Sequence, residues 1–352
     1  MQPATEVELA EYVRAATGPL AIVGGGTRAI GAVVGQPLHT AGLSGIELYE
    51  PGALTLVAKA GTPVAEITAR LASERQRLGF EVPDLRAVLG RSGTSTIGGV
   101  VASNASGPRR VQVGGCRDAL LGVRFVDGRG EVVKNGGRVM KNVTGYDLVK
   151  LMAGARGSLG VLTEVSFKVQ AQPEAEATLA CDCDAAAGLA DLRKALASPF
   201  DVSGAAWING RALLRIEGMA GSVAYRAERL RALLPGWQQA TAEWRDVRDV
   251  LPFAGRAGSL WRLVVTPTAA AEIVTRLGGE AIYDWGGGLV WLLLPTGCDV
   301  RAVVGPRGHA TLMRGEDTVA ALPPELPAVA ALTAGLRAKF DPRGIFKVEG
   351  AR

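Results

Sequence analysis

Ser92-Gly93-Thr94-Ser95-Thr96-Ile97-Gly98-Gly99-Val100-Val101-Ala102-Ser103-Asn104-Ala105-Ser106-Gly107 is a run of sixteen residues that decides how the rest of the chain is read. It is built largely from small and hydroxyl-bearing side chains and carries no charge. Ile97, Val100 and Val101 need burial, so the run is not a flexible linker. Small side chains let a buried backbone lie flat against a large planar ligand. Two further glycine clusters stand at a distance on either side. Upstream, the apolar strand Leu20–Val23 runs into Gly24-Gly25-Gly26-Thr27-Arg28; downstream, Gly157-Ser158-Leu159-Gly160 leads into the strand-like Val161–Val169. Gly24-x-Gly26-x-x-Ala29 formally satisfies the loose dinucleotide fingerprint, but that motif needs a helix directly after it to hold a pyrophosphate. Gly31, Gly35 and Pro37 fall where the helix would run, so a Rossmann site is not expected. Successive glycines still let backbone N–H groups converge on an anion, and Thr27 adds a hydroxyl donor. Three such clusters fit an extended cofactor better than a small anion.

Around these loops the chain is that of a packed protein of more than one unit. It has 352 residues, 48% of them hydrophobic and 21% charged, and a single core rarely grows past about 250–300 residues. Gly is the compositional outlier, at 47 residues with no G-X-Y period. The net charge of +5 is spread along the chain without a basic block, which speaks against a nucleic-acid arm. Cys116, Cys181, Cys183 and Cys298 make neither a disulfide framework nor an iron–sulfur motif, and the two histidines, His39 and His309, are isolated. Each His is expected as a surface or capped residue. No signal peptide or membrane-spanning run is found, which points to the cytoplasm.

Coarse periodicity divides the chain in three. Residues 1–170 read as an α+β unit: a helix capped by Thr5, strands at 20–23, 45–49 and 55–59, a helix opening at Pro63, and a 122–126/131–134 hairpin turning at Asp127-Gly128. Residues 171–315 twice repeat a β-α-β-β pattern, giving a cap with an antiparallel sheet and helices on one face. Residues 316–352 supply a helix and a tail ending in Phe340-Asp-Pro-Arg-Gly-Ile-Phe346, expected to return to the first unit.

The order Gly24–Arg28, Thr96-Ile97-Gly98-Gly99, Gly157-x-Leu159-Gly160-Val161 resembles the FAD-binding fold of the vanillyl-alcohol-oxidase, or PCMH, type. Gly136 to Leu148, Ser106-Gly107-Pro108-Arg109-Arg110 and Arg117-Asp118 narrow the resemblance to the E subunits of bacterial glycolate oxidase. It is strong over about residues 80–170, moderate from 19 to 80, weak in the cap, and returns in the tail, where Lys347-Val348-Glu349 replaces the Asn-Pro-Gly usual in that family. The resemblance implies two α+β subdomains around FAD. Gly24, Gly25, Gly26, Thr27 and Arg28 would hold the pyrophosphate; Pro83, Thr96, Gly98, Gly99, Ser103 and Gly107 would line the flavin; Gly160, Val161 and Leu162 would lie at the adenine end. Covalent attachment in that superfamily uses a His or Cys at the ring. Neither Gly24–Arg28 nor Ser92–Gly107 contains one, so noncovalent FAD is expected, with Cys116 the residue left to check. The resemblance also implies partners: a paralogous FAD-binding D-type subunit and an iron–sulfur F-type subunit.

Flavin oxidation of a 2-hydroxy acid needs a cationic clamp for the carboxylate, a base or metal for the hydroxyl, and a hydride facing the flavin. The sequence lacks the paired metal-binding histidines of the catalytic relatives, and no metal site is expected. Arg109 and Arg110 are candidates for the clamp, with a structural or partner-facing pair as the alternative. Lys141 and Tyr146 are the remaining candidates for proton transfer. Trp261 and Trp291 on cap strands are either core residues or anchors at a partner interface. Three readings stay open: an FAD-binding subunit of a glycolate-oxidising complex, a free-standing FAD-dependent dehydrogenase for a D-lactate-like acid, or a scaffold without cofactor.

Overall fold

A computed structural model describes residues 1–31, 34–138, 145–242, 244–316 and 319–347. The N-terminal layer is small. Helix Glu6–Ala15 begins where Thr5 Oγ1 accepts the Glu8 N–H at 3.2 Å, an N-cap as the sequence predicts. It packs Leu9 and Val13 onto β1 (Leu20–Val23), which runs parallel to β2 (Gln36–His39). The described part of the crossover between them, from Gly24 to Gly35, holds no helix, in keeping with the rejection of a Rossmann motif. The tail closes this layer: Phe346 bridges to Leu20, and the Asp341 carboxylate accepts from the N–H groups of Ile345 and Phe346.

Beside it lies a sheet in the order β3 (Ile46–Glu50), β4 (Thr55–Lys59), β8 (Val161–Ala171), β6 (Leu120–Val126), β7 (Val132–Gly136), with β5 (Gln76–Leu78) pairing the far end of β8. Every neighbouring pair is antiparallel. β8 is central because its eleven residues are long enough to serve three partners. Helix Val64–Ala72 buries Ile67 and Leu71 on this sheet, and helix Ile97–Ala102 buries Ile97, Val100 and Val101. The sixteen-residue run thus contains a buried helix, satisfying the apolar residues that ruled out a linker. Pro63 sits at the cap of its helix, one place before the expected position.

The remaining strands form one eight-stranded sheet, β12 (Gln238–Ala240), β9 (Ala175–Asp182), β11 (Arg211–Gly218), β10 (Val202–Ile208), β14 (Glu280–Asp284), β15 (Leu289–Leu294), β13 (Ser259–Val265), β16 (Gly308–Arg314). Numbered within each repeat, this order is a palindrome, 4-1-3-2 meeting 2-3-1-4 at the β10–β14 seam. Each repeat is therefore a complete βαββαβ unit; the expected β-α-β-β pattern left out the fourth strand of each, while a helix over 223–234 was expected in the first repeat and the short second helix of the other, Arg301–Val304, was not. One face carries helices Ala185–Leu196, Ala220–Leu233 and Ala270–Leu277. The other packs Ala206, Ile208, Leu260 and Trp291 against Ile30, Leu85, Val88 and Leu89 of the first sheet's loops. Trp261 (0% exposed) and Trp291 (4%) face opposite cores. Both are packing residues, and the reading of either as a rim anchor is withdrawn.

Candidate functional site

A cleft of about 410 Å³ opens between the β1–β2 layer and the helix Ile97–Ala102. Gly24, Gly25, Gly26, Thr27 and Arg28 form one wall. Thr96, Gly98, Gly99 and Ser103 form another, and Gly160 and Leu162 close the end near β8. The two glycine-rich segments interlock. A Cβ on Gly25 would stand 1.6 Å from the Thr94 carbonyl oxygen, and one on Gly93 2.3 Å from the Gly25 oxygen. Gly26 differs: its φ of +68° favours glycine, while a Cβ there would meet nothing within 4 Å. Gly98 lets the helix close onto β4, its would-be Cβ lying 2.7 Å from Ala60 Cβ.

The polar groups are divided in a telling way. The N–H groups of Ile97, Gly98 and Gly99 are spent on Thr62 O, Ala60 O and Thr96 Oγ1. No protein acceptor is found among the described residues for the N–H groups of Gly24–Arg28. Arg28 crosses the wall to donate to Ser95 Oγ at 2.7 Å and Pro83 O at 2.6 Å, yet its buried Nε has no partner. Burial lowers its pKa to about 10, so it remains cationic at neutral pH. Five consecutive donors beside a buried guanidinium suit a diphosphate. The groove of small residues beyond them suits a flat ring, so the residues present fit an FAD.

Three residues expected at the cofactor lie outside the cleft lining. Pro83 contributes only its carbonyl, to Arg28; Gly107 accepts from Trp285 Nε1 at 3.1 Å; Val161 is fully buried in the N-terminal core. Sequence reasoning missed several that do line it. Arg156 carried no signal in the sequence; Gly157, quoted in the third glycine cluster without a role at the cofactor, lines the cleft as well, and His39, expected at the surface or capped, borders it from β2. Cys116 is wholly buried under the helix and burial pushes its thiol pKa up, which makes it a poor nucleophile.

The two adjacent arginines have separate fates. Arg109 is buried at the junction with the cap sheet, its Nε 3.1 Å from Glu217 Oε2 and its backbone N–H 2.6 Å from Glu81 Oε2. Arg215 completes the knot by donating to Glu81 at 2.9 Å. Against the upward push of burial, Arg215, Arg109 and Arg77 hold the Glu217 pKa down to about 2. Arg109 is thus committed to structure. Among the described residues the Arg110 guanidinium donates to Ser106 Oγ, at 3.1 Å, and it lies over the Trp285 ring. Tyr146 is 88% exposed and lines no part of the cleft; Lys141 lies outside the described residues.

A family model described as an FAD binding domain matches residues 1–136. Among solved structures, alkyldihydroxyacetonephosphate synthase superposes with a TM-score of 0.70 over 98% of this chain and 76% of its own, at 14% identity. That likeness concerns the fold. Fold and cleft together define an α+β FAD-binding oxidoreductase of the PCMH type. A glycolate oxidase subunit, GlcE, of Escherichia coli (strain K12) is 38% identical over 78% of this chain and 75% of its own length. The chain belongs to that family of glycolate oxidase E subunits. Shorter similarities reach the glycolate oxidase subunit GlcD of Bacillus subtilis (strain 168), 40% identical over 24% of this chain and 18% of the relative. A mitochondrial D-lactate dehydrogenase (cytochrome) of Arabidopsis thaliana is 35% identical over 28% and 17% respectively.

Proposed function

We propose that this chain is the FAD-binding subunit of a complex that oxidises a small 2-hydroxy acid, glycolate to glyoxylate, and passes the electrons to partner subunits. The observation that carries the reading is that the amides of Gly24–Arg28 find no acceptor among the described residues and lie beside the buried, unsatisfied Arg28 Nε. When bound, FAD would supply the acceptor for the hydride leaving the hydroxy-acid carbon. Gly24–Arg28 would hold its pyrophosphate, Thr96–Ser103 would face the flavin, and Gly160–Leu162 would face the adenine. In this reading residues 1–170 with the returning 316–352 are the cofactor unit, and 171–315 the cap. The site of action is the cytoplasm. An absorbance spectrum of the purified chain, followed by anaerobic addition of glycolate or D-lactate, tests it. Yellow protein that either acid alone fully bleaches would promote the free-standing dehydrogenase, and colourless protein the scaffold.

The flavin is held without a covalent bond. Cys116 is buried with its thiol pKa pushed up, and His39 stands beside β1, outside the run that faces the flavin. Acid precipitation is expected to release all the yellow colour into the supernatant; colour retained by the pellet contradicts this, with His39 the residue to replace first.

Helix Pro327–Phe340 supports the partner reading. It has no buried residue, and Leu326, Val329, Leu332 and Leu336 are all exposed. At 14 residues, with Gly335 inside, it is near the roughly 12–15-residue margin for a helix standing alone in water. Its only charges, Arg337 and Lys339, lie in the last turn, which fits an apolar surface edged by acidic groups on the paralogous D-type subunit. An iron–sulfur F-type subunit would then take the electrons onward. The double variant Leu332→Glu/Leu336→Glu is expected to keep its FAD but lose co-purification with the D-type subunit, and with it turnover of glycolate by an artificial acceptor. Undiminished co-purification contradicts the assignment.

A further inference from the structure

Beyond the cleft, the turn after β14 holds a bulky residue in a conformation that bulky residues avoid. Trp285 has φ +54°, and Gly286 and Gly287 follow at +63° and +101°. Left-handed backbone at a Trp is a strain that persists only where the surroundings over-determine it, and such strain gathers at functional sites. Two bonds fix this one: the Trp285 N–H donates to Asp284 Oδ1 at 2.8 Å, and its indole Nε1 donates across the junction to Gly107 O at 3.1 Å. The result is an indole clamped between the cap sheet and the FAD-binding half.

Two guanidinium groups lie over that indole. The Cζ of Arg110, from the FAD-binding half, is 5.1 Å from the ring centroid, and that of Arg262, on β13, is 5.6 Å away. Neither forms an ion pair among the described residues, whereas Arg77, Arg109 and Arg215 nearby are all paired with Glu217 or Glu81. Burial, with Arg110 and Arg156 adding to it, lowers the Arg262 pKa to about 10, so the group stays charged at neutral pH. Burial also lifts the Asp284 carboxyl to about 8, which weakens the counter-charge it offers Arg262. Both guanidinium groups are half-buried; a partly desolvated cation without an ion-pair partner is costly, and a cation–π contact returns only about 0.5–2 kcal/mol. Arg156 lines the cofactor cleft, so the cluster reaches the place where a flavin would lie.

We propose that Arg110 and Arg262, set against Trp285, bind the carboxylate of a small organic acid at the junction of the cap and the FAD-binding half. This rests on the reading of the cleft as a flavin site and gives that site its substrate class. A planar guanidinium pairs with a carboxylate through two parallel hydrogen bonds, and two of them discriminate an acid from its neutral amide. Arg262 and Trp285 escaped the sequence reading because they lie about 150 residues or more from Arg110 along the chain, within a weakly similar region.

The test is calorimetric titration of the purified chain with oxalate, a redox-inert acid, with bound FAD measured separately. Oxalate is expected to bind, and its neutral amide, oxamide, not to bind. Arg110→Met and Arg262→Met are expected to weaken oxalate by at least tenfold, Arg262→Lys by less, with FAD content and melting temperature held. Arg231→Met, on the exposed surface, removes the same charge and is expected to change nothing. Unchanged oxalate affinity in both Met variants overturns the proposal, as does equal binding of oxamide or equal weakening by Arg231→Met. Wild-type chain that holds FAD yet ignores oxalate overturns this site alone; chain without FAD overturns the cofactor reading instead.

Discussion

Gly25→Val loses FAD by more than about tenfold while the chain remains folded. The cause is steric. The new Cβ would stand 1.6 Å from the Thr94 carbonyl oxygen, and this is backbone against backbone, which no rotamer change relieves. The Gly24–Arg28 loop must retreat, displacing the five amides proposed to hold the pyrophosphate. Overpacking of this kind costs about 1–3 kcal/mol, and if it falls on the bound state, every 1.4 kcal/mol is a tenfold loss of affinity. Gly26→Val acts differently: its Cβ has open space, and its cost is the positive φ of +68° and the bulk it projects toward the ligand. Flavin content measured on folded protein by circular dichroism checks both. A folded Gly25→Val chain with normal FAD contradicts the loop assignment.

Glu217→Gln destabilises the protein by about 3–5 kcal/mol, the usual cost of removing one partner from a buried ionic cluster. Glu217 is 5% exposed and takes hydrogen bonds from Arg77 and Arg109, with Arg215 also within ion-pair distance. Its loss leaves buried guanidinium groups short of a counter-charge at the junction of the two halves. The pH dependence has a definite sign. The folded pKa of about 2 lies below the ordinary carboxyl value of 4.5, so this stabilisation is complete above 4.5 and vanishes as pH falls through 2. The wild type should therefore lose stability over that window while Glu217→Gln loses less. Urea unfolding midpoints at pH 7 and across pH 2–5 check this; coincident curves for the two chains contradict it.

Much of the fold was legible because its signals are local. Apolar alternation marked β9–β11 and β13–β15, Thr5 marked a helix start, and Ile97, Val100 and Val101 required the glycine-rich run to be buried. The closing strands β12 and β16 were not; the three residues of β12, Gln238–Ala240, carry no readable period. At the site, the glycines announced a backbone brought close to something, but their separate reasons were hidden. Gly25 is small for Thr94, Gly98 for Ala60, and Gly26 for its φ. Arg109 and Arg110 are chemically identical neighbours, and what separates them is Glu217, 108 positions away. Trp261 and Trp291 offered the same ambiguity, which alternation across two buried faces of one sheet resolved in favour of packing.

The central claim is that the cradle of Gly24–Arg28 binds FAD, and the flavin content of the purified chain tests it most directly. The account predicts yellow protein carrying equimolar FAD, with ADP competing for reuptake by the stripped chain. A folded, colourless chain that takes up no FAD from excess in solution would contradict it.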